Sequence, residues 1–592
     1  MTLPHWSLSK LYPSLDSKEF QNDLAKVPAL AEKFEAFQTS DNLLATLKLY
    51  IALQEEASDL FGSILLYCHS FISTDSYNTK AAKIASSLAP YHIKTRSAEV
   101  RFQKWLAALP EKRWLAFWKS CEAAELKDFR FAFEETRKRA LHLMSEKEEA
   151  LAAKLNQCGA EAWTKLHGII TSRLTAEFET EEGIKRLPVT AIRGYKGSPD
   201  PEVRLRAQKT EEAAWKTVED QLAACLNGVK GSAVTLAKAR GYKSPLEESL
   251  FLSRLDQETF DAMFLAMRNS FPLFRRYYKA KAKMLGLPSL RWCDLSAPVG
   301  DSSRRYTYEE ARDFVLRQFA TFHPELEALG KRAFAENWID AEPRDGKRGG
   351  AFCSPVRRLE ESRILANFNG SFDSVNCLAH ELGHAFHNYC LRNLPSLQRG
   401  TPMTLAETAS INNEMICGLA AVKEAKSAGE EAYLLENILQ STSSVIVDIS
   451  SRFLFESEVM EKREHYELTA AELCEIMMRS QKETYGDALD PNHLGPYIWT
   501  WKPHYYFSGV NFYNYPYAFG RLFALSLYAI YEKEGAAFVP EYMKLLGDCG
   551  RYSPRELAAR FGYDLSQASF WEGSLALVEK WVEQFENLAK SC

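Results

Sequence analysis

The chain has 592 residues, 46% hydrophobic and 26% charged, with a formal net charge of -5 and a pI near 6.3. This length exceeds what one hydrophobic core supports, so at least two lobes are expected; the composition excludes disorder, and the slight negative charge gives no pull toward nucleic acid or an anionic membrane. No apolar run approaches the roughly 20 residues that span a bilayer, the first residues lack a basic-then-apolar leader, and the 12 cysteines are scattered singly, which together predict a soluble protein of the reducing cytoplasm.

Helical periodicity dominates, first at Asn42–Phe61 and Leu141–Leu155, where apolar residues recur every three or four positions. A polar break at Leu187–Pro201, with Gly194, Gly197, Pro199 and Pro201, predicts a boundary between an N-terminal helical lobe, 1–197, and a second domain, 198–592. Helical patterns resume at Pro201–Ala239 and Asp256–Met284. In the latter, Arg275, Lys279 and Lys283 share one face beside Tyr277 and Tyr278, which reads as a solvated face and not a nucleic-acid surface. Between Gly346 and Gly370 two segments, Gly-Lys-Arg-Gly-Gly-Ala-Phe-Cys-Ser-Pro and Ser-Arg-Ile-Leu-Ala-Asn-Phe-Asn-Gly, read as short strands. Further helices are expected at Glu431–Glu464 and Tyr517–Lys533. The fold class is therefore mainly α, with one small antiparallel β-sheet.

Directly after those strands, Asp373–Arg392 has the pattern of a helix with a buried stripe of Val375, Leu378, Leu382, Ala385, Phe386 and Tyr389. Asp373 or Ser374 offers the short oxygen that caps a first turn, and Pro395 stops the helix soon after Arg392. His380 and His384 then project from one face about 6 Å apart, a separation that one zinc ion bridges. Glu381, rotated about 100° from His380, reaches a water beside the metal. Gly383 lowers helix stability by about 1 kcal/mol relative to Ala, so its bare backbone is expected to admit a neighbouring chain or a substrate. Two blander readings are histidines merely accommodated on a helix, and a structural zinc site completed by Cys377, whose neighbours suit a buried thiol.

Catalytic zinc needs a third protein ligand and an open position. A metzincin would carry Gly at His387 and His at Cys390, and the thermolysin-like spacing falls at Met403 or Thr404, so neither class fits. The next glutamate is Glu407, which opens a second helix carrying Glu414 two turns on. Thr404 and Glu407 also match a capping box; alone, cap and ligand weigh equally, and a zinc-type helix upstream favours the ligand. Glu414 is placed to hold the second nitrogen of a ligand histidine, or to sit as an ordinary surface carboxylate. The set predicts one Zn2+ per chain, with cobalt or manganese chemically acceptable.

The run His380-Glu-Leu-Gly-His-Ala-Phe-His387, followed by Ala406-Glu-Thr-Ala-Ser410 and Glu414, resembles the oligoendopeptidase F branch of the thimet-oligopeptidase (gluzincin) family. Gly346–Phe352 is similar to that family's strand segment beside its cleft, and His504–Gly520 to its His- and Tyr-rich loop. By motif the likeness covers Gly346–Arg521; the first 200 residues carry no matching motif. It implies two helical lobes around a deep substrate channel, with the sheet next to the zinc helix. It further implies a metalloendopeptidase for short unfolded oligopeptides, with Glu381 as general base, Tyr515 as oxyanion donor and His504 as its partner toward the substrate. Tyr505, Tyr506, Tyr513 and Tyr517 crowd the same loop, and spacing does not choose among them; Phe512, Tyr515 and Phe519 also recur at core spacing. An exposed edge at Gly349, Gly350, Ala351 and Phe352, or at Ala366–Gly370, is expected to pair with extended peptide, with Tyr506 as a further contact. A peptidyl-dipeptidase or carboxypeptidase with the same zinc site is one alternative. A non-catalytic peptide-binding protein is another, which the intact Glu381 opposes. A cationic residue that captures a terminal carboxylate would separate the two enzymes, and the sequence marks none. Monomer and homo-oligomer both stay open.

Overall fold

The computed structural model describes residues 3–301 and 303–591, most of them helical, with two small sheets among them. Met1, Thr2 and Cys592, the last of the scattered cysteines, lie outside the described residues. Helix starts follow side-chain capping. Asn42 accepts the Ala45 N–H at 2.9 Å to begin Leu43–Thr74, and Asp256 accepts the Thr259 N–H at 2.8 Å to begin Gln257–Met284. The expected run Pro201–Ala239 divides into Pro201–Lys216 and Glu219–Ala239. The run from Ala428 to Arg463 stays helical through a π-turn at Ser444–Asp448.

Leu141–Leu155 is where the periodicity misleads. Ser145 and Glu148 form a reciprocal capping box that restarts the chain as Glu146–Cys158. That helix buries none of its side chains, and Leu151 and Leu155 are exposed. A strong local start signal prevails there over a weak apolar stripe.

The chain divides into two compact units: Met1–His142, Ser303–Ala420 and Ile530–Phe561 form one, and Leu143–Ser302, Ala421–Ala529 and Gly562–Cys592 the other. The second unit contains an antiparallel hairpin, β1 (Thr175–Thr180) and β2 (Gly183–Pro188), which the sequence reading does not anticipate. Its strands are polar and only Phe178 is buried, so no alternation announces it. The core of this unit gathers Trp215, Leu222, Phe455, Trp499, Tyr505 and Tyr506.

In the first unit, β3 (Ile339–Asp340), β4 (Phe352–Val356) and β5 (Glu361–Leu365) form a sheet of order β3-β5-β4. The antiparallel pair β4–β5 is the one expected, with Phe352 opposite Leu365. The two-residue β3 adds a parallel partner, too short to leave a pattern in sequence. Every residue of β5 is buried, Arg363 included. Its guanidinium pairs with Glu361 at 2.9 Å and donates to the Ser7 carbonyl at 2.6 Å, which offsets the desolvation of both charges.

Candidate metal centre

The sheet packs through β4 and β5 against the helix Phe372–Cys390, which carries His380, Glu381 and His384. Its cap is Ser371, whose hydroxyl accepts the Ser374 N–H at 3.3 Å, and not Asp373 or Ser374 as the sequence suggests. Starting earlier puts Asp373 in the first turn, where a carboxylate complements the exposed N–H dipoles. Val375, Leu378, Ala379, Leu382, Ala385 and Phe386 are buried and fix the helix rotation.

The second helix of the site, Thr408–Lys423, crosses at Gly383. A Cβ on Gly383 would stand 2.6 Å from the Ala409 carbonyl oxygen and 2.6 Å from Ser410 Cα, both backbone atoms. The glycine is thus what lets the two backbones approach. Gly383→Ala is expected to lower stability by about 1–3 kcal/mol, the range of overpacking, despite alanine's better helix propensity. Since Glu407 lies two residues before the displaced backbone, bound metal should fall as well; a thermal melt with metal analysis reads both, and an unshifted melt would refute the contact.

Glu407 does not open the second helix. A short helix, Met403–Ala406, precedes it, and Glu407 sits at the joint with φ -93° and ψ 3°. Thr404 lies inside that short helix, whose cap is Pro402, so the capping-box reading gives way. Glu407 Oε2 instead accepts from Ser410 Oγ at 2.8 Å and stands 3.5 Å from His380 Nε2 and 3.4 Å from His384 Nε2. The donor atoms of His380, His384 and Glu407 lie within 4.8 Å of one another. Zinc bonds of about 2.1 Å in a tetrahedral set place neighbouring donors about 3.4 Å apart, so these residues fit such an ion. Ser410 is the supporting residue that the sequence reading missed; its spacing of three from Glu407 on a helix was the available signal.

His380 Nδ1 donates to Glu414 Oε1 at 2.5 Å, which turns Nε2 toward the cluster. Burial opposes charge on His380, but the Glu414 hydrogen bond and charge outweigh it and raise the imidazole to about 9. Burial likewise opposes charge on Glu407, and the hydrogen bond and charge of His384, with that of His380, bring it down to about 2. Glu381 is buried, which raises its carboxyl against the pull of both imidazoles, and its Oε2 has no hydrogen-bond partner among the described residues. Three carboxylates thus converge on two imidazoles, a donor set suited to a divalent cation. Cys377 stands outside the cluster, its thiol pushed up to about 12 by burial and then by the charges of Glu381 and Glu414.

The glycine-rich segment before β4 is pinned by Lys347. Its buried ammonium donates to the carbonyls of Asp340, Glu342 and Ala366 at 3.1, 2.9 and 2.6 Å and pairs with Asp340 at 2.8 Å. Gly349 and Gly350 are exposed, Ala351 and Phe352 half-buried. Gly350 has φ 79°, and its carbonyl accepts from Asn367 at 2.8 Å. They lead into β4, an edge strand whose Cys353 thiol is pushed up by burial and by the nearby Glu381 carboxylate.

The remaining expected residues lie in the second unit. His504 is buried, its imidazole pushed down to about 2 by burial and by Arg452, Lys502 and Lys230. Its ring stacks on Tyr513 at 6.0 Å. Tyr513 and Tyr517 are half-exposed, with hydroxyls 2.9 Å apart. Tyr515 begins the helix Tyr515–Glu534; it is buried, donates to Ser253 Oγ at 2.9 Å and lies 3.3 Å from Ser249 Oγ. Tyr506 is wholly buried and stacks on His167 at 3.6 Å, so the expectation of a substrate contact there yields to a core role.

Comparison with known proteins shows the family and the fold. The family model described as Peptidase family M3 matches residues 195–577, and one described as Oligopeptidase F matches residues 105–175, within the stretch where sequence reading found no motif. Oligopeptidase PepF of Bacillus subtilis is 25% identical over 591 residues, covering 98% of this chain and 87% of that protein. A solved chain from Chlamydophila abortus superposes with a TM-score of 0.86 at 23% identity, covering 99% of this chain and 98% of its own. The oligoendopeptidase-F structure from Enterococcus faecium gives 0.71 at 20% identity, covering 97% and 99%.

Proposed function

Because this chain belongs to peptidase family M3, we propose that it cleaves short unfolded oligopeptides at internal bonds, with one zinc ion held by His380, His384 and Glu407. That it is a peptidase of the oligoendopeptidase F type follows from the family and its relatives; the metal, the base and the substrate are our reading. The observation that carries it is the pair of 3.4 and 3.5 Å spacings between Glu407 and the two imidazoles, beside the unpartnered Glu381 oxygen.

The bound ion supplies Lewis-acid polarisation of the scissile carbonyl and lowers the pKa of water toward 7. Glu381 takes the proton of the attacking water on Oε2 and passes it to the leaving amine. Glu414 holds His380 in one tautomer, and Ser410 holds Glu407. The edge of β4 with Gly349, Gly350, Ala351 and Phe352 supplies main-chain groups for an extended peptide.

The oxyanion donor is a tyrosine of the 505–517 loop, with His504 beside it. Tyr515 is buried with its hydroxyl held by Ser253 and Ser249, whereas Tyr513 is half-exposed, bonded to Tyr517 and stacked on His504, and its accessibility favours it as the donor. Tyr513→Phe is expected to lower kcat by about 10²-fold, and Tyr515→Phe to act mainly on the melting temperature. The reverse pattern would restore Tyr515 to the role.

The family match beginning at residue 195 supports 198–592 as the catalytic part of the sequence, with 1–197 as an N-terminal accessory part. The eleven described cysteines are unpaired, in keeping with a reducing cytoplasm, and no described helix is long and apolar enough to cross a membrane. The test is a mass-spectrometric map of fragments from peptides of roughly 6 to 20 residues. Internal cuts abolished by a chelator and restored by zinc are the expected result. Stepwise loss of C-terminal dipeptides would favour the peptidyl-dipeptidase instead, and intact peptides with zinc-loaded protein would favour the binder.

A further inference from the structure

The first unit holds a cavity of about 220 Å³ whose lining includes His384, Asn388, Arg357, Arg392 and Arg399. The three arginines come from two places in the chain: the turn after β4, and the stretch that follows the metal-motif helix. Among the described residues none of the three is ion-paired. Neutral groups hold them in place. Arg392 lies over the Tyr389 ring at 3.7 Å and donates to the Tyr389 carbonyl at 2.6 Å. Arg399 donates to the carbonyls of Leu394 and Arg392, and Arg357 meets Ser58 Oγ.

The acids nearby are otherwise engaged or peripheral. Glu361, which also lines the cavity, is bound by Arg363 and Lys10. Glu55, which faces Arg357, accepts the Ser396 N–H, and Glu360 is exposed. Burial and then the charge of Arg399 push the Arg357 guanidinium down, with the charge of Glu55 opposing them. Each guanidinium carries five N–H donors in a rigid fork, and at most two are committed here.

We propose that Arg392 and Arg399, with Arg357 at the rim, form a carboxylate subsite that holds the C-terminal carboxylate of the peptide substrate. The inference rests on the peptidase reading above and deepens it. The same cavity touches a proposed metal ligand and the arginines, so a peptide anchored there presents a bond only a short distance from its C-terminus. Cuts are then measured from the substrate's carboxyl end: release of dipeptides would make the enzyme the peptidyl-dipeptidase, and release of longer fragments keeps it an endopeptidase.

Identical peptides ending in a free acid or in an amide test this on the zinc-loaded enzyme and on Arg392→Gln, Arg399→Gln and Arg357→Gln. The readout is the acid-to-amide ratio of kcat/KM, which cancels any general loss of folded protein. Wild type should prefer the acid by at least about tenfold, through KM, and the ratio should fall toward one in the variants. Binding of the same pair to Glu381→Gln protein measures the preference without turnover. A wild-type ratio near one, or a ratio unmoved in all three variants, overturns the subsite. An amidated peptide with a glutamate near its end that recovers the full preference overturns the terminal assignment. Preferential binding without any hydrolysis would sink the peptidase mechanism and leave the subsite standing, whereas equal hydrolysis of both forms would do the opposite.

Discussion

Glu381→Gln is expected to lower kcat by about 10³- to 10⁴-fold with little change in bound metal. The substitution keeps the shape of the side chain and removes only its capacity to accept and return a proton. Glu381 is buried with Oε2 lacking any hydrogen-bond partner among the described residues, so the native side chain carries an unmet desolvation cost. The amide is neutral and relieves part of that cost. The variant should therefore melt at the same temperature as wild type or higher, an inverse relation between stability and activity that marks a group retained for chemistry. Rapid-quench turnover, metal analysis and calorimetry on one preparation decide the matter. A kcat within tenfold of wild type would remove Glu381 from the proton transfer.

The second large effect is on metal retention, and its signature is an order and not a single value. Glu407→Ala should abolish stoichiometric zinc binding, because it deletes the oxygen that stands 3.4 and 3.5 Å from the two imidazoles. Glu414→Gln leaves the donor set whole and disturbs only the orientation of His380, so affinity should weaken by about 10- to 100-fold. Competition with a chromogenic chelator gives both values on one scale. If Glu414→Gln proves as damaging as Glu407→Ala, Glu414 is itself a ligand and the assignment must be redrawn.

The parts of the site that were legible in sequence share one property: their geometry is local. His380, Glu381 and His384 are fixed relative to one another by helix periodicity alone, and Glu414 sits two turns into the next helix from Glu407. Gly383 was legible as a gap, and the neighbour that fills it is the backbone of Ala409 and Ser410. Where tertiary packing decides, residue type said little. Tyr506 and Tyr513 look alike in a row of tyrosines, yet one is sealed in a core against His167 and the other is half-exposed beside His504. The hairpin Thr175–Pro188 was invisible because its strands bury a single side chain. The arginine cavity was invisible for the opposite reason, since Arg357 meets Arg392 and Arg399 only once β4 has packed on the metal-motif helix.

The unit that carries His380, His384 and Glu407 is spliced together from three separated stretches, the last of which is Ile530–Phe561. That stretch supplies the helix Val539–Asp548, which packs on the metal-motif helix and whose Leu546 backbone holds the His387 ring. At about 5–20 residues per second, a ribosome delivers His380, His384 and Glu407 roughly seven to thirty seconds before this last wall arrives. A nascent chain thus carries all three candidate ligands while the helix that bears His380 and His384 still lacks one side of its support. Activity from chains arrested at residue 529 would contradict the point. Activity is therefore expected only once the stretch Ile530–Phe561 has joined the unit.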